Sequence, residues 1–175
     1  VGLVQAFMPG EEGGPALAGI LSGRVQPSGK LPVQVPRHAG AQPSTYLQPP
    51  LGGAESTDIT SVDSTPLFPF GYGRSYTTFA IDDARLSTSS IPTDGEVKVS
   101  VRVSNTGARA GSEVVQLYLH AVVAQVARPV KPILGFDRVP LRAGALCHVR
   151  VQAHPPRVAR PRPHHQRHLR AADGQ

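Results

Sequence analysis

The chain has no tryptophan and only one cysteine, and aromatic residues make up just 5% of it. The lone cysteine, Cys147, cannot form a disulfide within the chain, so the sequence excludes a small fold held together by disulfides. Glycine and proline, by contrast, number 18 each. The apolar residues are therefore spread between many turn signals instead of forming one dense core.

Long hydrophobic runs are also missing. No apolar stretch approaches the roughly 20 residues that a membrane-spanning helix needs, so the sequence predicts no membrane partner. The formal net charge is +6, but residues 155–175 contribute +4 of it, through five arginines and one aspartate. Because the other 154 residues carry only +2, the charge predicts no specific nucleic-acid partner.

The first part of the chain has the pattern of a strand, a loop and a helix. Residues 1–7 are mostly apolar and predict a buried strand, and we expect a chain that begins inside such a strand to have lost what came before it. Pro15 suits the first turn of the helix, because the N–H that proline lacks would be unpaired there anyway. Gly23 stands where a left-handed cap is expected. The apolar face of this helix is formed by Leu17, Ile20 and Leu21.

Residues 37–75 predict a linker, because most of them are rich in Gly, Pro, Ser and Thr and show little periodicity. Near its end, three aromatic residues lie between Leu67 and Gly73. This concentration predicts a tight, buried turn that docks one domain on the next.

From Tyr76 onward, short runs that are separated by turns predict an immunoglobulin-like or fibronectin type III-like sandwich. The clearest run is 97–103, in which four valines alternate with polar residues and so place one face in a core. Asn105-Thr106-Gly107 predicts the turn that ends it. Further strands are predicted over residues 77–86, 113–120, 133–139 and 147–151. The fold class is therefore mainly β, preceded by one strand–helix unit and a long linker.

The alternation stops before the end of the chain. Residues 155–175 contain four prolines, and only Val158 and Leu169 are large apolar residues, so the segment predicts no strand. We expect a basic tail that is disordered or read out of frame. We also expect the sandwich of residues 76–154 to lack its last strand, which would leave an edge unpaired.

Five phrases in one order resemble the C-terminal part of glycoside hydrolase family 3, of the bacterial β-glucosidase and β-xylosidase type. Together they cover roughly residues 1–153. The phrases are Met8–Gly14, Ala18–Val33, Pro66–Phe79, Asn105–Gly107 with Glu113–Leu119, and Arg128–Lys131 with Gly135-Phe136.

The resemblance implies a retaining glycosidase with a (β/α) barrel, an α/β sandwich domain and a fibronectin type III-like domain. Residues 1–36 would be the end of the α/β sandwich domain, residues 37–75 the linker, and residues 76–154 the fibronectin-like domain. The family has an aspartate nucleophile on the barrel and a glutamate acid/base upstream of the first phrase, so no catalytic residue, metal or cofactor is assigned here. The implied partners are β-linked glucoside or xyloside oligosaccharides and the missing barrel.

Three residues are candidates for a place near the substrate: Glu11, Glu12 and Tyr46. The glutamates follow the predicted strand, and ligands of open α/β sheets gather at the carboxyl ends of strands. Adjacent carboxylates before a helix also complement its dipole, which is the simpler interpretation. Tyr46 could stack on a sugar ring or, in the interpretation that we favour, anchor the linker on the adjacent domain.

Two further patterns are weaker. His164, His165 and His168 have a spacing suited to metal ligands on a helix, but the neighbouring prolines argue against a helix, so we expect no metal site. Residues 70–76 contain two glycines at nucleotide-loop spacing but lack the third glycine and a preceding core strand, so they predict no dinucleotide site.

Two functions stay open at this point. The first is a piece of a β-glycoside hydrolase that is inactive without its barrel. The second is a non-catalytic fibronectin-like module that binds carbohydrate or a partner domain, since this fold hosts many functions.

Overall fold

The computed structural model describes residues 2–41, 45–47, 65–92, 95–120, 129 and 131–153. These residues form one α-helix, one 3₁₀ turn and seven β-strands, which confirms a mainly β fold. In chain order the elements are α1 (Gly13–Leu21), β1 (Val35–Pro36), the 3₁₀ turn (Ala39–Ala41), β2 (Pro66–Phe68), β3 (Phe79–Leu86), β4 (Val97–Asn105), β5 (Gly111–Tyr118), β6 (Ile133–Leu141) and β7 (Leu146–Ala153).

The last five strands form a sandwich of two antiparallel sheets. One sheet has the order β3-β4-β7, and β5 pairs with β6 in the other. The sheets meet mainly through β6 and β7. All five strands were predicted, although β5 begins two residues earlier than expected and ends at Tyr118, and β6 continues to Leu141.

The core between the sheets is built almost entirely from β-branched residues, which fit a pleated surface. Val103 is fully buried, and the alternation predicted for β4 places Val101 and Val103 inward and Lys98 and Arg102 in solvent. The other buried apolar side chains of this core are Val115, Val139, Leu141, Val149 and Val151.

β3 contains a β-bulge. Asp82 pairs with Arg102 whereas Arg85 pairs with Ser100, so β3 has one residue more than β4 over this stretch. Asp83 lies in the bulge with a φ of 52°, a conformation that aspartate tolerates better than most residues. The bulge keeps Asp82 and Arg85 on the same face of the sheet.

The prediction of a buried strand at the start of the chain is wrong for the residues described there, 2–7. They form no strand, and the Leu3 side chain is 75% exposed. A strand needs a hydrogen-bonded neighbour, and no described segment pairs with this one. The apolar face predicted for α1 is also only partly covered, since Leu21 is 73% exposed.

The predicted end of α1 is confirmed. Gly23 has a φ of 73°, and the N–H groups of Ser22 and Gly23 donate to the carbonyl oxygens of Ala18 and Ile20. The helix begins at Gly13, two residues before Pro15. The predictions for residues 155–175, including the histidine cluster, lie outside the described residues.

The described ranges contain no helix that is long and apolar enough to cross a membrane. Within the same ranges, His, Cys, Asp and Glu side chains do not gather in a group of three that could hold a metal ion.

Asn105, the last residue of β4, joins three segments at one end of the sandwich. Its side chain is 2% exposed, and its Oδ1 atom accepts hydrogen bonds from Thr77 Oγ1 at 2.8 Å and from the Gly107 N–H at 3.1 Å. Its Nδ2 atom donates to the carbonyl oxygens of Arg109 at 2.8 Å and Leu141 at 3.2 Å. Each donor and acceptor of the amide is therefore used, as a buried polar group requires.

Replacing Asn105 with alanine leaves these four partners without their hydrogen bonds. Because the interactions are buried or partly buried, we expect Asn105→Ala to lower the free energy of unfolding by about 2–4 kcal/mol. Urea unfolding measures this loss. The control is Thr106→Ala, which removes an exposed hydrogen bond to Thr78 and should cost less than about 0.5 kcal/mol. Equal losses in the two variants would contradict the role given to Asn105.

Candidate functional site: the junction of helix, linker and sandwich

The two glutamates predicted near a substrate lie at the start of α1 and are exposed. Glu12 is the residue that caps the helix N-terminus, but its side chain makes no capping hydrogen bond. Glu11 lies in the turn before it. Neither glutamate lines the depression described below.

Tyr46, the third candidate, is half-buried. It packs on the turn at residues 69–72, which precedes the sandwich and which we call the aromatic turn. Its ring stacks on Phe70, with centroids 3.8 Å apart and an interplanar angle of 11°. Phe70 in turn meets the edge of Tyr118 on β5, with centroids 6.4 Å apart. One face of the Tyr46 ring is therefore occupied by protein, and the chain of three rings links the linker to the sandwich.

The turn at residues 69–72 is also fixed by polar contacts with β5. Gln116 donates from Nε2 to the Gly71 carbonyl oxygen at 3.2 Å, and the Tyr118 hydroxyl donates to Gln116 Oε1. Leu31 and the turn are joined in both directions, because the Leu31 N–H donates to the Tyr72 carbonyl and the Gly71 N–H donates to the Leu31 carbonyl, each at 2.8 Å.

Two glycines permit this close packing. A Cβ atom at Gly71, which has a φ of 78°, would overlap the Gln116 side chain. A Cβ atom at Gly73 would overlap the carbonyl oxygen of Gly29, which belongs to the backbone and cannot move aside easily. The spacing of these glycines therefore follows from packing.

The strongest polar contact of the junction is an ion pair between Lys30 and Glu113. Lys30 Nζ lies 2.6 Å from Glu113 Oε1 and also donates to the Gly73 carbonyl oxygen at 3.1 Å. The two side chains are only 17% and 15% exposed, so water screens the attraction weakly. One ammonium group thus joins the segment after α1 (residues 22–34), the aromatic turn and β5.

Weaker contacts surround this ion pair. The Tyr76 hydroxyl donates to the Ile20 carbonyl at the end of α1 at 2.8 Å, and Arg138 of β6 donates to the Ser28 hydroxyl at 2.8 Å. β1, just before the predicted linker, pairs with β2, which lies near the end of the linker. This pairing brings the start of the linker close to its last residues. The helix, the linker ends and both strands of the β5-β6 sheet consequently meet at one place.

A shallow depression of about 420 Å³ lies beside the ion pair. Its only carboxylate is Glu113, which Lys30 already holds. The residues that line it are Gly73, Arg74, Ser75, Thr77, Thr78, Phe79, Ile81 and Glu113. This lining can offer hydroxyl groups and one guanidinium group, but it holds no pair of carboxylates.

Lys30 and Glu113 were not predicted to be site residues. Each lies inside a phrase that carried the family resemblance, Lys30 in Ala18–Val33 and Glu113 in Glu113–Leu119. Their pairing was not predictable, because they are far apart in the sequence and a single lysine or glutamate is usually solvated. The docking role predicted for residues 67–73 agrees with the contacts, although the turn is half-buried and Leu67 is 46% exposed.

Comparison with known proteins shows which domain families the two sides of this junction match. Residues 1–76 match the glycosyl hydrolase family 3 C-terminal domain, and residues 113–173 match the fibronectin type III-like domain. The chain belongs to glycoside hydrolase family 3. Its match corresponds to the C-terminal part of these enzymes, and the contacts above join the two matched domains. The second match includes residues 155–173, so their separation as a tail stays a prediction, as do the other domain bounds.

Named relatives of this family 3 chain are β-glucosidases and β-xylosidases. The chain is 41% identical over 150 residues to a periplasmic beta-glucosidase of Salmonella typhimurium. It is also 41% identical over 143 residues to a beta-xylosidase of Formosa agariphila. Each match covers 81% of this chain and 20% of the relative. A β-glucosidase structure from Erythrobacter marinus shares 45% identity and a TM-score of 0.79, over 87% of this chain and 20% of that one. The chain thus spans about a fifth of these proteins.

A double-mutant cycle tests the ion pair of the junction. We expect Lys30→Met, Glu113→Gln and the double variant to give a coupling free energy of about 1–3 kcal/mol in urea unfolding, because the pair is largely buried. The control is the Arg102–Asp82 pair, whose side chains are 44% and 46% exposed and whose coupling should be much smaller. Equal coupling in the two pairs would show that burial of the junction adds nothing.

The partly buried hydroxyl of Tyr118 predicts a pH dependence of stability. Burial raises the pKa of Tyr118 above its ordinary value near 10, and Tyr46 adds to the shift. The unfolded chain loses this proton at a lower pH than the folded chain, so the free energy of unfolding should fall as the pH rises above about 10. Tyr118→Phe should flatten this fall in urea unfolding between pH 9 and 11. An unchanged slope would mean that the Tyr118 hydroxyl is not the group responsible.

Proposed function

We propose that this chain is the non-catalytic C-terminal portion of a retaining β-glycoside hydrolase and that it hydrolyses no glycoside on its own. One observation carries the proposal: the depression beside the junction is lined by a single carboxylate, Glu113, and an ion pair with Lys30 already holds it. Retaining enzymes hold two carboxyl groups about 5–5.5 Å apart across the glycosidic bond. Here the least exposed carboxylate, Glu113, is neutralised by Lys30.

The other carboxylates of interest do not supply the missing partner. Glu11 and Glu12 are exposed on a loop, whereas a general acid needs a site that tunes its pKa. Asp82 and Asp83 lie on the outer face of the sandwich, where each is bound to an arginine. These contacts of the described carboxylates support the proposal that the reaction centre of the enzyme lies in residues outside this chain.

The proposed substrates are terminal β-linked glucosides or xylosides. The printed names of the relatives support this class, since they include a periplasmic β-glucosidase and a β-xylosidase. Within such an enzyme we propose that Glu11 and Glu12 lie near the sugar site. We assign Tyr46 to the docking of the linker, because its ring already stacks on Phe70.

The proposed role of the chain is to hold the end of the α/β domain in a fixed position. The contacts of Lys30, Tyr76 and Arg138 tie that end to the sandwich at three separate points. Fixing it matters because small displacements of groups near a reaction centre can lower the rate of an enzyme by orders of magnitude.

A complementation experiment tests the proposal. We expect the purified chain to release no nitrophenol from nitrophenyl β-glucoside or β-xyloside. We expect activity when it is mixed with the Salmonella typhimurium β-glucosidase from which the equivalent C-terminal residues have been removed, provided that this truncated enzyme is inactive alone. As a control, the chain with Lys30→Met and Glu113→Gln should restore less activity, since its junction is weakened.

Two results would contradict the proposal. Turnover by the chain alone, lost in a Glu11→Gln and Glu12→Gln variant, would mean that the chain contains a reaction centre. No activity in any mixture, despite a folded chain, would favour a module that binds carbohydrate or a partner and serves no catalytic part.

A further inference from the structure

The outer face of the β3-β4-β7 sheet carries a group of cations that lies away from the junction. Lys98 and Arg102 of β4 are exposed there, as are His148 and Arg150 of β7. The strand register sets His148 opposite Arg102 and Arg150 opposite Ser100. Because residues paired across strands share a face, these side chains form one continuous surface, which we name the basic face.

The cations of the basic face are evenly placed. Lys98 lies opposite Gln152, and Arg150 is two residues from Gln152 along β7, so Lys98 and Arg150 are diagonal neighbours. Arg102 and Arg150 are diagonal neighbours in the same way. Such neighbours are about 7–8 Å apart. The three cations therefore follow a zigzag along the strands, at a spacing that long side chains can bridge.

The balance of charge on the basic face is positive. On β3, Arg85 adds a fourth full cation, and it bonds Asp83 at 2.9 Å, while Arg102 bonds Asp82 at 2.6 Å. Within the paired strands, four cations thus face two carboxylates, and the exposed Glu96 lies just before β4, two residues from Lys98. Among the described carboxylates, none forms an ion pair with Lys98 or Arg150, so these two side chains can accept an outside anion.

The chemistry of the face discriminates between classes of anionic partner. Protein interfaces have an apolar centre that is rich in aromatic residues, but Leu146 is the single large apolar side chain here and it lies at one end. Single-stranded nucleic acids stack their bases on aromatic rings, and the paired residues that form this face include no Phe, Tyr or Trp, with the His148 imidazole as the one ring. Hydroxyl and amide groups are present instead, from Ser100, Ser104 and Gln152.

We propose that the basic face binds a linear polysaccharide that carries carboxylate groups. Lys98 and Arg150 would hold successive carboxylates, and the planar guanidinium group of Arg150 matches a carboxylate with two parallel hydrogen bonds. The serine hydroxyls and the Gln152 amide would bond to sugar hydroxyl groups. This inference does not rest on the proposed hydrolytic function, because none of these residues belongs to the junction.

The test measures binding of polygalacturonate to the full 175-residue chain by calorimetry in 50 mM NaCl. We expect the Lys98→Gln and Arg150→Gln double variant to bind at least fivefold more weakly than the parent chain. The control is Lys131→Gln with Arg142→Gln, which removes the same two residue types from exposed positions outside the face. It should bind within twofold of the parent. Equal weakening in both variants, or weakening in neither, would overturn the proposal in favour of non-specific binding through net charge or the basic tail.

A second variant tests the face in the opposite direction. Asp82→Asn with Asp83→Asn removes two carboxylates and frees Arg102 and Arg85, so it should bind polygalacturonate at least threefold more tightly; unchanged or weaker binding would contradict the proposal. Asparagine also tolerates the positive φ of residue 83. Dextran should not bind, because it has no charge. Polyglutamate, dextran sulfate or an oligonucleotide that binds as tightly as polygalacturonate would overturn the assignment to a carboxylated glycan.

Discussion

The structure depends most on the largely buried contact of the Lys30 ammonium with Glu113. Without Glu113 the ammonium would lose its carboxylate partner in a place that water scarcely reaches, and without Lys30 the carboxylate would suffer the same loss. The same ammonium holds the Gly73 carbonyl oxygen. The segment after α1, the aromatic turn and β5 are thereby held at one point, and the Tyr46 ring stacks on Phe70 of the same aromatic turn.

This contact explains how the two matched domains of a family 3 enzyme can act as one body. The sandwich supplies a rigid edge, because its valine core and the fully bonded Asn105 fix β4 and the turns around it. The segment after α1 and the aromatic turn then dock on that edge through ionic, aromatic and backbone contacts together. The outer face of the other sheet takes no part in the docking, so it is free to carry a second function.

The parts of the fold that depend on local pattern were predictable from the sequence. The alternation in 97–103 predicted β4, and Gly23 predicted the end of α1, because period and backbone conformation are properties of neighbouring residues. Residues 1–7 predicted a strand that the structure lacks, because apolar sequence alone does not supply a pairing neighbour. The Lys30–Glu113 pair was missed because it joins distant residues, and the basic face emerges only when the register aligns β3, β4 and β7.

The central claim is that the junction and the sandwich fold as one unit. Native-state hydrogen exchange tests it directly on the amides of Leu31 and Gly71, which bond across the junction, and on those of Val101 and Val103 in β4. The account predicts that all four exchange only through the same global opening, with equal free energies and equal denaturant dependence. Rapid exchange at Leu31 and Gly71 beside a protected β4 would contradict it, because the junction would then open while the sandwich stays folded.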